Sequence, residues 1–178
     1  VKWCNARSEK EGYSPVYFID STGKTIYRTG QTNICAQQVN WTADGYRLPT
    51  ECEWEFAAQG GNQTHSYNFS GSNILADVAW CNSNSGNTTH PVGQKKPNEL
   101  DINDMSGNVY EWCWDYYSKV YPTGETRDPK GPVASQNNVH VIKGGPFYCN
   151  DLGGSVIYRS YDVPERGNRT YGFRCVRN

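Results

Sequence analysis

The sequence lacks most of the features that would assign a function quickly. It has no basic excess: 17 Lys and Arg face 18 Asp and Glu, for a net charge of −1, so there is no electrostatic footprint for nucleic acid. No apolar run approaches the length of a membrane span. Histidine is scarce: His65, His90 and His140 are scattered, and none stands in a motif with a nucleophile or at metal spacing. There is no Gly-x-Ser-x-Gly elbow, no Cys-x-x-Cys pair, no Cys/His cluster with zinc spacing and no internal repeat. Acidic residues are plentiful, but spacing alone assigns no pair to acid/base work. Helical signal is sparse as well.

What is present is aromatic and turn-forming. The 178 residues include 13 Tyr, 6 Trp, 18 Gly and 9 Pro, a mixture that suits one domain with a real core, little regular structure and many specific turns. Seven cysteines, an odd number, leave at least one thiol unpaired within the chain, and most read as small core hydrophobes. The sequons at Asn40, Asn62, Asn68, Asn87 and Asn168 carry little weight in a chain so rich in Asn, Ser and Thr.

Along the chain, Val1 to Gly12 reads as the end of a helix, with Val1, Cys4 and Ser8 on one face and Gly12 as the stop. "SPVYFIDSTGKTIYRTG" reads as a hairpin turning at Asp20 to Lys24, and Gln31 to Ala43 as irregular or short strand. One helix is written emphatically. Thr50 is a good N-cap, Glu53 completes a capping box, Pro49 keeps the preceding residue extended, and Gly60 suits the left-handed position after the last turn. Arg47, just before it, is a candidate to pair with a buried carboxylate or to lie on the surface. Asn62 to Pro97 is a long polar tract with one apolar patch, Ile74 to Trp80. A tight turn follows. Then Tyr110, Trp112, Trp114 and Tyr116 alternate with Glu111, Cys113 and Asp115, the period of a half-buried strand. Tyr121 to Asn138 is turn-rich, and Val139 to Lys143 is a strand ending at Gly144-Gly145. Pro146 to Tyr171 has almost no periodicity, and "GFRCVRN" closes the chain as a short strand.

Four stretches, in this order, carry a resemblance: "YRLPTECEWEFAAQGG", "HPVGQKKPNELDINDMSGNVYEWCWDYY", "VIKGGPF" and "YGFRCVR". Together they resemble the formylglycine-generating enzyme, or sulfatase-modifying factor, family over nearly the whole chain. The resemblance implies an α+β, loop-rich variant of the C-type lectin fold with short strands and few helices. It also implies that residues 1–178 are a single domain forming the C-terminal portion of a longer protein, since family members have strands upstream of the helix at Val1. The start on Val1, not Met, agrees with a processed or truncated product.

The family's oxidases share two cysteines a few residues apart, soon after the Gly-Gly, for pairwise thiol chemistry with a substrate cysteine. Cys149 matches the first and Gly154 stands at the second, with no other cysteine nearby in sequence until Cys175. The expectation is therefore against enzymatic activity, with an oxidase using Cys149 as the alternative. The family resemblance also implies a structural calcium ion held by Asp104, Gly107, Val109 and Glu111, against the plainer reading of an Asx turn feeding a strand.

A second resemblance is to the retroelement-diversified variable proteins of the treponemal type, in which a variable region runs between a Gly-Gly and a closing Gly-Phe-Arg. On that reading a ligand surface is built from Trp114, Phe147, Tyr148, Cys149, Asn150, Leu152, Gly153, Tyr158, Ser160, Tyr161, Asp162, Val163, Asn168, Arg169 and Thr170, with Arg159 and Pro164 as fixed scaffold. Tyr, Asn, Ser, Gly and Arg suit adaptable recognition. The expected role is a non-catalytic binding protein, displayed at a cell surface or outside the cell, with a protein or other surface ligand and no nucleic acid. A further alternative is that a missing N-terminal half carries the function and this half is scaffold.

Overall fold

The computed structural model describes residues 1–121, 127–135 and 137–178; the turn-rich stretch expected from Tyr121 to Asn138 lies partly outside the described residues. The chain forms two compact units, one of Val1–Pro49 with Arg174–Asn178 and one of Thr50–Phe173.

In the first unit, α1 (Lys2–Lys10) ends where Gly12 takes a left-handed φ of 81°. Its buried face carries Cys4, Asn5 and Ser8. Asn5 replaces a regular ladder: its Oδ1 accepts from Val16 N and Tyr17 N, both at 3.1 Å, and its Nδ2 donates to Tyr17 O at 2.7 Å and Tyr27 O at 3.1 Å. The expected hairpin is correspondingly reduced to isolated bridges, Tyr17 with Val39 and Phe18 with Ile26. Its turn is held by Asp20, whose Oδ1 accepts from Thr22 N and Lys24 N. Gln31 to Ala43 is irregular apart from a 3-10 turn at Ala36–Gln38. Strand β1 (Tyr46–Arg47) pairs antiparallel with the last strand, Val176–Arg177. Arg47 is buried and not on the surface, and it donates to the side-chain amide oxygen of Asn178 at 2.8 Å.

The second unit is built on α2 (Glu51–Ala58), which has the ends the sequence predicts. Thr50 Oγ1 accepts from Glu53 N at 3.3 Å, Glu53 Oε2 accepts from Thr50 N at 2.8 Å, and Gly60 has φ 87°. Caps of this kind contribute about 1 kcal/mol each. A short α3 (Leu75–Val78) occupies the apolar patch of the polar tract. Strand β2 (Tyr110–Tyr116) pairs antiparallel with β3 (His140–Lys143) and parallel with β5 (Tyr171–Gly172). After α4 (Asp151–Gly154), β4 (Ser160–Asp162) pairs antiparallel with β3. The sheet order is β4-β3-β2-β5, and the closing pair is β1-β6, with β6 at Val176–Arg177.

The alternation along β2 resolves in an unexpected sense: Glu111, Cys113 and Asp115 are buried, whereas Tyr110, Trp112 and Tyr116 are half-exposed. Helix α2 lies on that polar face and supplies its partners. Trp54 Nε1 donates to Glu111 Oε2 at 2.7 Å, Lys143 Nζ pairs with Glu55 Oε2 at 2.9 Å, and Arg159 clasps Glu51 with two bonds of 2.5 and 2.7 Å. Lys143 is wholly buried beside an apolar cluster of Trp54, Ala58, Met105, Cys113, Val141 and Val156. Breaking one partner of such a buried pair costs several kcal/mol. Beyond the sheet, Gly144 and Gly145 turn the chain away with φ of 89° and 78°.

Asp115 sits at the mouth of α2, where its Oδ2 accepts from Glu51 N at 2.8 Å. Burial, with a smaller push from the Glu51 charge, raises its carboxyl from 3.8 to about 7, partly offset by that hydrogen bond. Between these values the folded protein binds a proton that the unfolded chain has released, so this group makes stability fall as pH rises across that window. Asp115→Asn keeps the acceptor and removes the titration. Urea unfolding from about pH 4 to about pH 8 is expected to show this decline in the parent and a flatter profile in the variant.

Candidate functional site

The outward side of the sheet is aromatic. Alternation and register place Tyr110 opposite Tyr171, Tyr116 opposite His140, His140 opposite Asp162 and Ile142 opposite Ser160. Trp112 meets Tyr171 edge-on with ring centres 5.4 Å apart, and Tyr110 meets it at 6.1 Å. The Tyr171 hydroxyl donates to Asp162 Oδ2 at 2.5 Å; burial together with this bond pushes the phenol up to about 12. The Tyr110 phenol is raised by burial and by its neighbours Tyr158 and Tyr148. Contacts join Tyr110, Trp112, Tyr171 and Asp162, and Tyr148, 49% exposed, is near enough to influence both Tyr110 and Tyr171.

The residues expected to bind a ligand divide into several groups. Tyr148, Asn150, Leu152, Asn168 and Arg169 are exposed, and Gly153, Tyr158, Ser160, Asp162 and Val163 are half-buried. Tyr161 is 50% exposed but lies out of phase with Ser160 and Asp162. It stacks on Tyr117 at 4.2 Å, next to the Arg159 guanidinium over the Tyr117 ring. Trp114, Phe147, Cys149 and Thr170 correct the expectation: all four are buried and support the surface from beneath. The β2–β3 register slips between Trp112 and Tyr116, and Trp114 lies within that slip with its carbonyl 2.8 Å from His140 Nδ1. Phe147 lies under the Arg169 guanidinium at 5.3 Å. Thr170 turns inward to Asn168 Oδ1, which accepts from its N and Oγ1. Tyr110 and Tyr171 belong to the surface but escaped the sequence reading. Only the strand alternation, followed out to its first residue and its parallel neighbour, could have found them.

Cys149, next to Tyr148 in the chain, belongs to a separate buried cluster. Cys149 packs with Phe69, Leu75, Val78, Ala79 and Cys81, and burial, then the nearby Cys81 thiol, pushes its own thiol up to about 12. The position that matches the second oxidase cysteine lies beside Cys149 and is crowded by the end of the Leu75 side chain. A Cβ built on Gly154 would stand 3.4 Å from Cys149 Sγ, yet only 2.6 Å from Leu75 Cδ1. The Gly154 backbone is held at both ends: Ser106 Oγ donates to its carbonyl at 2.9 Å and its own N donates to Asn150 O at 3.0 Å. Cys81 corrects the view of Cys149 as isolated: it is distant in sequence but adjacent in the fold.

The turn before β2 has the left-handed residues that its tightness requires: Asp104, Gly107 and Asn108, with φ of 59°, 77° and 64°. A side chain at Gly107 would collide with Trp80 O. Asp104 Oδ2 accepts from Gly93 N at 2.7 Å, and the Asn108 amide bridges His90 N and His90 O. Glu111 is turned inward to Trp54, and the Val109 and Met105 carbonyls converge over Gly144. Among the described residues no group of three or more His, Cys, Asp or Glu is placed to hold a metal ion. A cation here would rely on two carboxylates and backbone carbonyls, a donor set of hard oxygens that fits calcium in kind.

The whole chain, residues 1–178, matches the Sulfatase-modifying factor enzyme 1-like domain, and the chain belongs to that family. It is 41% identical to Chaperone protein LppX of Paenibacillus barcinonensis over 175 residues, covering 86% of this chain and 62% of that protein. It is 33% identical to the formylglycine-generating enzyme of Streptomyces coelicolor over 172 residues, covering 83% of this chain and 54% of that enzyme. Among solved structures, Treponema denticola variable protein 1 superposes with a TM-score of 0.83 at 33% identity, covering 98% of this chain and 66% of that one. The fold is thus the lectin-like, loop-rich arrangement of this family, and the chain spans between half and two thirds of the length of these relatives.

The Gly154–Leu75 contact makes a direct prediction. Gly154→Ala is expected to destabilise the protein by about 1–3 kcal/mol through overpacking. Adding Leu75→Ala should cost less than the two single changes summed, since each relieves the other. A double-mutant cycle from chemical denaturation reads this coupling.

Proposed function

We propose that this chain is a non-catalytic display domain whose ligand surface is the aromatic patch of Tyr148, Tyr158, Tyr110 and Tyr171 with the polar groups around it. The single observation that carries the reading is the glycine at 154: the position matching the second oxidase cysteine holds no thiol, while the exposed aromatic surface is kept. Rigid tyrosines with few rotatable bonds, framed by Asn150, Ser160, Asp162 and Arg169, give contact area at low entropic cost. The similarity to a variable protein supports the same role. On this reading the domain faces the outside of a cell and residues 146–171 vary between copies under a retroelement.

The test has two arms. Incubation with a Cys-x-Pro-x-Arg peptide, followed by mass measurement, is expected to give no aldehyde; aldehyde that disappears in Cys149→Ala would overturn the proposal in favour of an oxidase. Peptides selected from a random library against the parent chain are expected to lose about 30-fold or more in affinity on Tyr148→Ser or Tyr158→Ser. They should be unaffected by Phe56→Ser, on the exposed side of α2. Binding that ignores the two tyrosines counts against this surface. A neighbouring reverse transcriptase with an Asn-rich near-copy of residues 146–171 would support the diversification reading.

The same proposal includes a structural calcium ion held by Asp104 and Glu111 with the Gly107 and Val109 carbonyls. Calcium at about 100 times its dissociation constant should stabilise the fold by about 2.7 kcal/mol. Thermal unfolding with calcium, against chelator, reads this shift, and Asp104→Ala should abolish it. An unchanged melting temperature in both buffers would leave the turn as an Asx turn alone.

A further inference from the structure

We propose that Cys81 and Cys149 are a redox-responsive pair that closes into an intramolecular disulfide, fastening the segment after Gly145 to the loop after α3. The inference is independent of what the aromatic surface binds.

Three observations carry it. First, both thiols belong to one buried cluster with Leu75 and Val78. Second, both line one cavity of about 430 Å³, together with Ile74, Leu75, Asn82 and Asn150, which leaves room for a sulfur to swing. Third, the two backbones are already joined at this place: Asn82 N donates to the carbonyl of Cys149 at 3.0 Å. Each Cα is only two bonds from the atoms of that hydrogen bond, so standard geometry holds the two Cα atoms within roughly 8 Å. Disulfides span Cα separations of about 4.4–6.8 Å, so closure asks for little backbone movement. The upward push that Cys81 gives the Cys149 thiol is consistent with this proximity. Ser83 Oγ, 3.2 Å from Cys81 Sγ, is placed to hydrogen-bond the sulfur as it ionises.

The chemistry balances with a small disulfide such as oxidised glutathione as the electron acceptor. One protein thiol loses its proton and attacks a glutathione sulfur, breaking the glutathione S–S bond and releasing one glutathione thiolate. The second protein thiol loses its proton and attacks the protein sulfur of that mixed disulfide, releasing the other. One S–S bond is exchanged for another, and the two released thiolates take up the two protons. Burial of both sulfurs makes the first attack slow, and the reaction waits on opening of the cavity.

The test uses the full chain in a Cys52→Ser background, so that Cys81 is the only cysteine of tryptic peptide 48–95 and Cys149 the only one of peptide 144–159. The folded protein is equilibrated across glutathione redox ratios, its free thiols are blocked, and the digest is analysed by mass. The expected result is a 48–95/144–159 crosslink that grows with the oxidised fraction and returns to separate peptides on reduction. In Cys81→Ser, Cys149 should instead be recovered free or as a mixed disulfide with glutathione. Separate peptides at every ratio while circular dichroism reports a native fold would overturn the proposal, as would a crosslink that forms only in denaturant. Oxidation should also slow amide exchange across residues 148–154 by about tenfold or more, and unchanged exchange in the crosslinked form would refute the fastening role.

Discussion

The second unit depends on a layer of charge held between α2 and the sheet. Glu51, Trp54 and Glu55 project from one helix towards Arg159, Glu111 and Lys143, and each buried charge in that layer has a named partner. Charges removed from water are tolerated only when so matched. The consequence is positional. Because the polar residues of β2 turn inward to meet the helix, its tyrosines and one of its tryptophans are left to the outward side. A strand that looks from its composition as though it should bury aromatics buries acids. The self-capped helix is what makes this possible: its start is set by Thr50 and Glu53 within four residues, so the acidic side chains arrive in register.

The region around Cys149 shows a family framework with glycine in place of a second thiol at 154. Gly154 lies at contact distance from the Cys149 sulfur, but the Leu75 methyl occupies the volume that a second side chain would need. In the rest of the segment Phe147 and Thr170 are buried and Tyr148 and Arg169 lie outside. Buried and exposed residues alternate along the same short stretch.

Much of the architecture was legible in the sequence because it is locally encoded. The cap of α2, the Gly60 stop, the left-handed turn before β2 and the Gly144-Gly145 exit depend on residues within a few positions of one another. The hairpin near Asp20 was overstated, since an amide from a distant helix, Asn5, takes the hydrogen bonds that a ladder would have used. The short helix α4 and strand β4 inside Pro146–Tyr171 gave no periodic signal, being three or four residues long. The candidate site was legible as a segment but not as a surface. Side-chain direction depends on pairing that only the fold sets: Trp114 turns inward within the β2–β3 register slip, Tyr171 comes beside Tyr110 through parallel pairing with β2, and Phe147 and Thr170 are buried outside any strand. Cys81 could not have been joined to Cys149 from the sequence, because that contact is made by tertiary packing alone.

The paired glycines at the end of β3 have one more consequence. They absorb the left-handed turn at the entrance, and from Pro146 to Tyr171 no residue has a positive φ, Gly153, Gly154 and Gly167 included. The backbone of that stretch therefore makes no demand that a side-chain-bearing residue cannot meet. Replacement at its outward positions costs only what the side chain itself touches, and at Gly167 a Cβ would meet nothing within 4 Å. The framework confines conformational intolerance to its borders, which gives the stretch between them wide latitude for amino-acid change without loss of the fold.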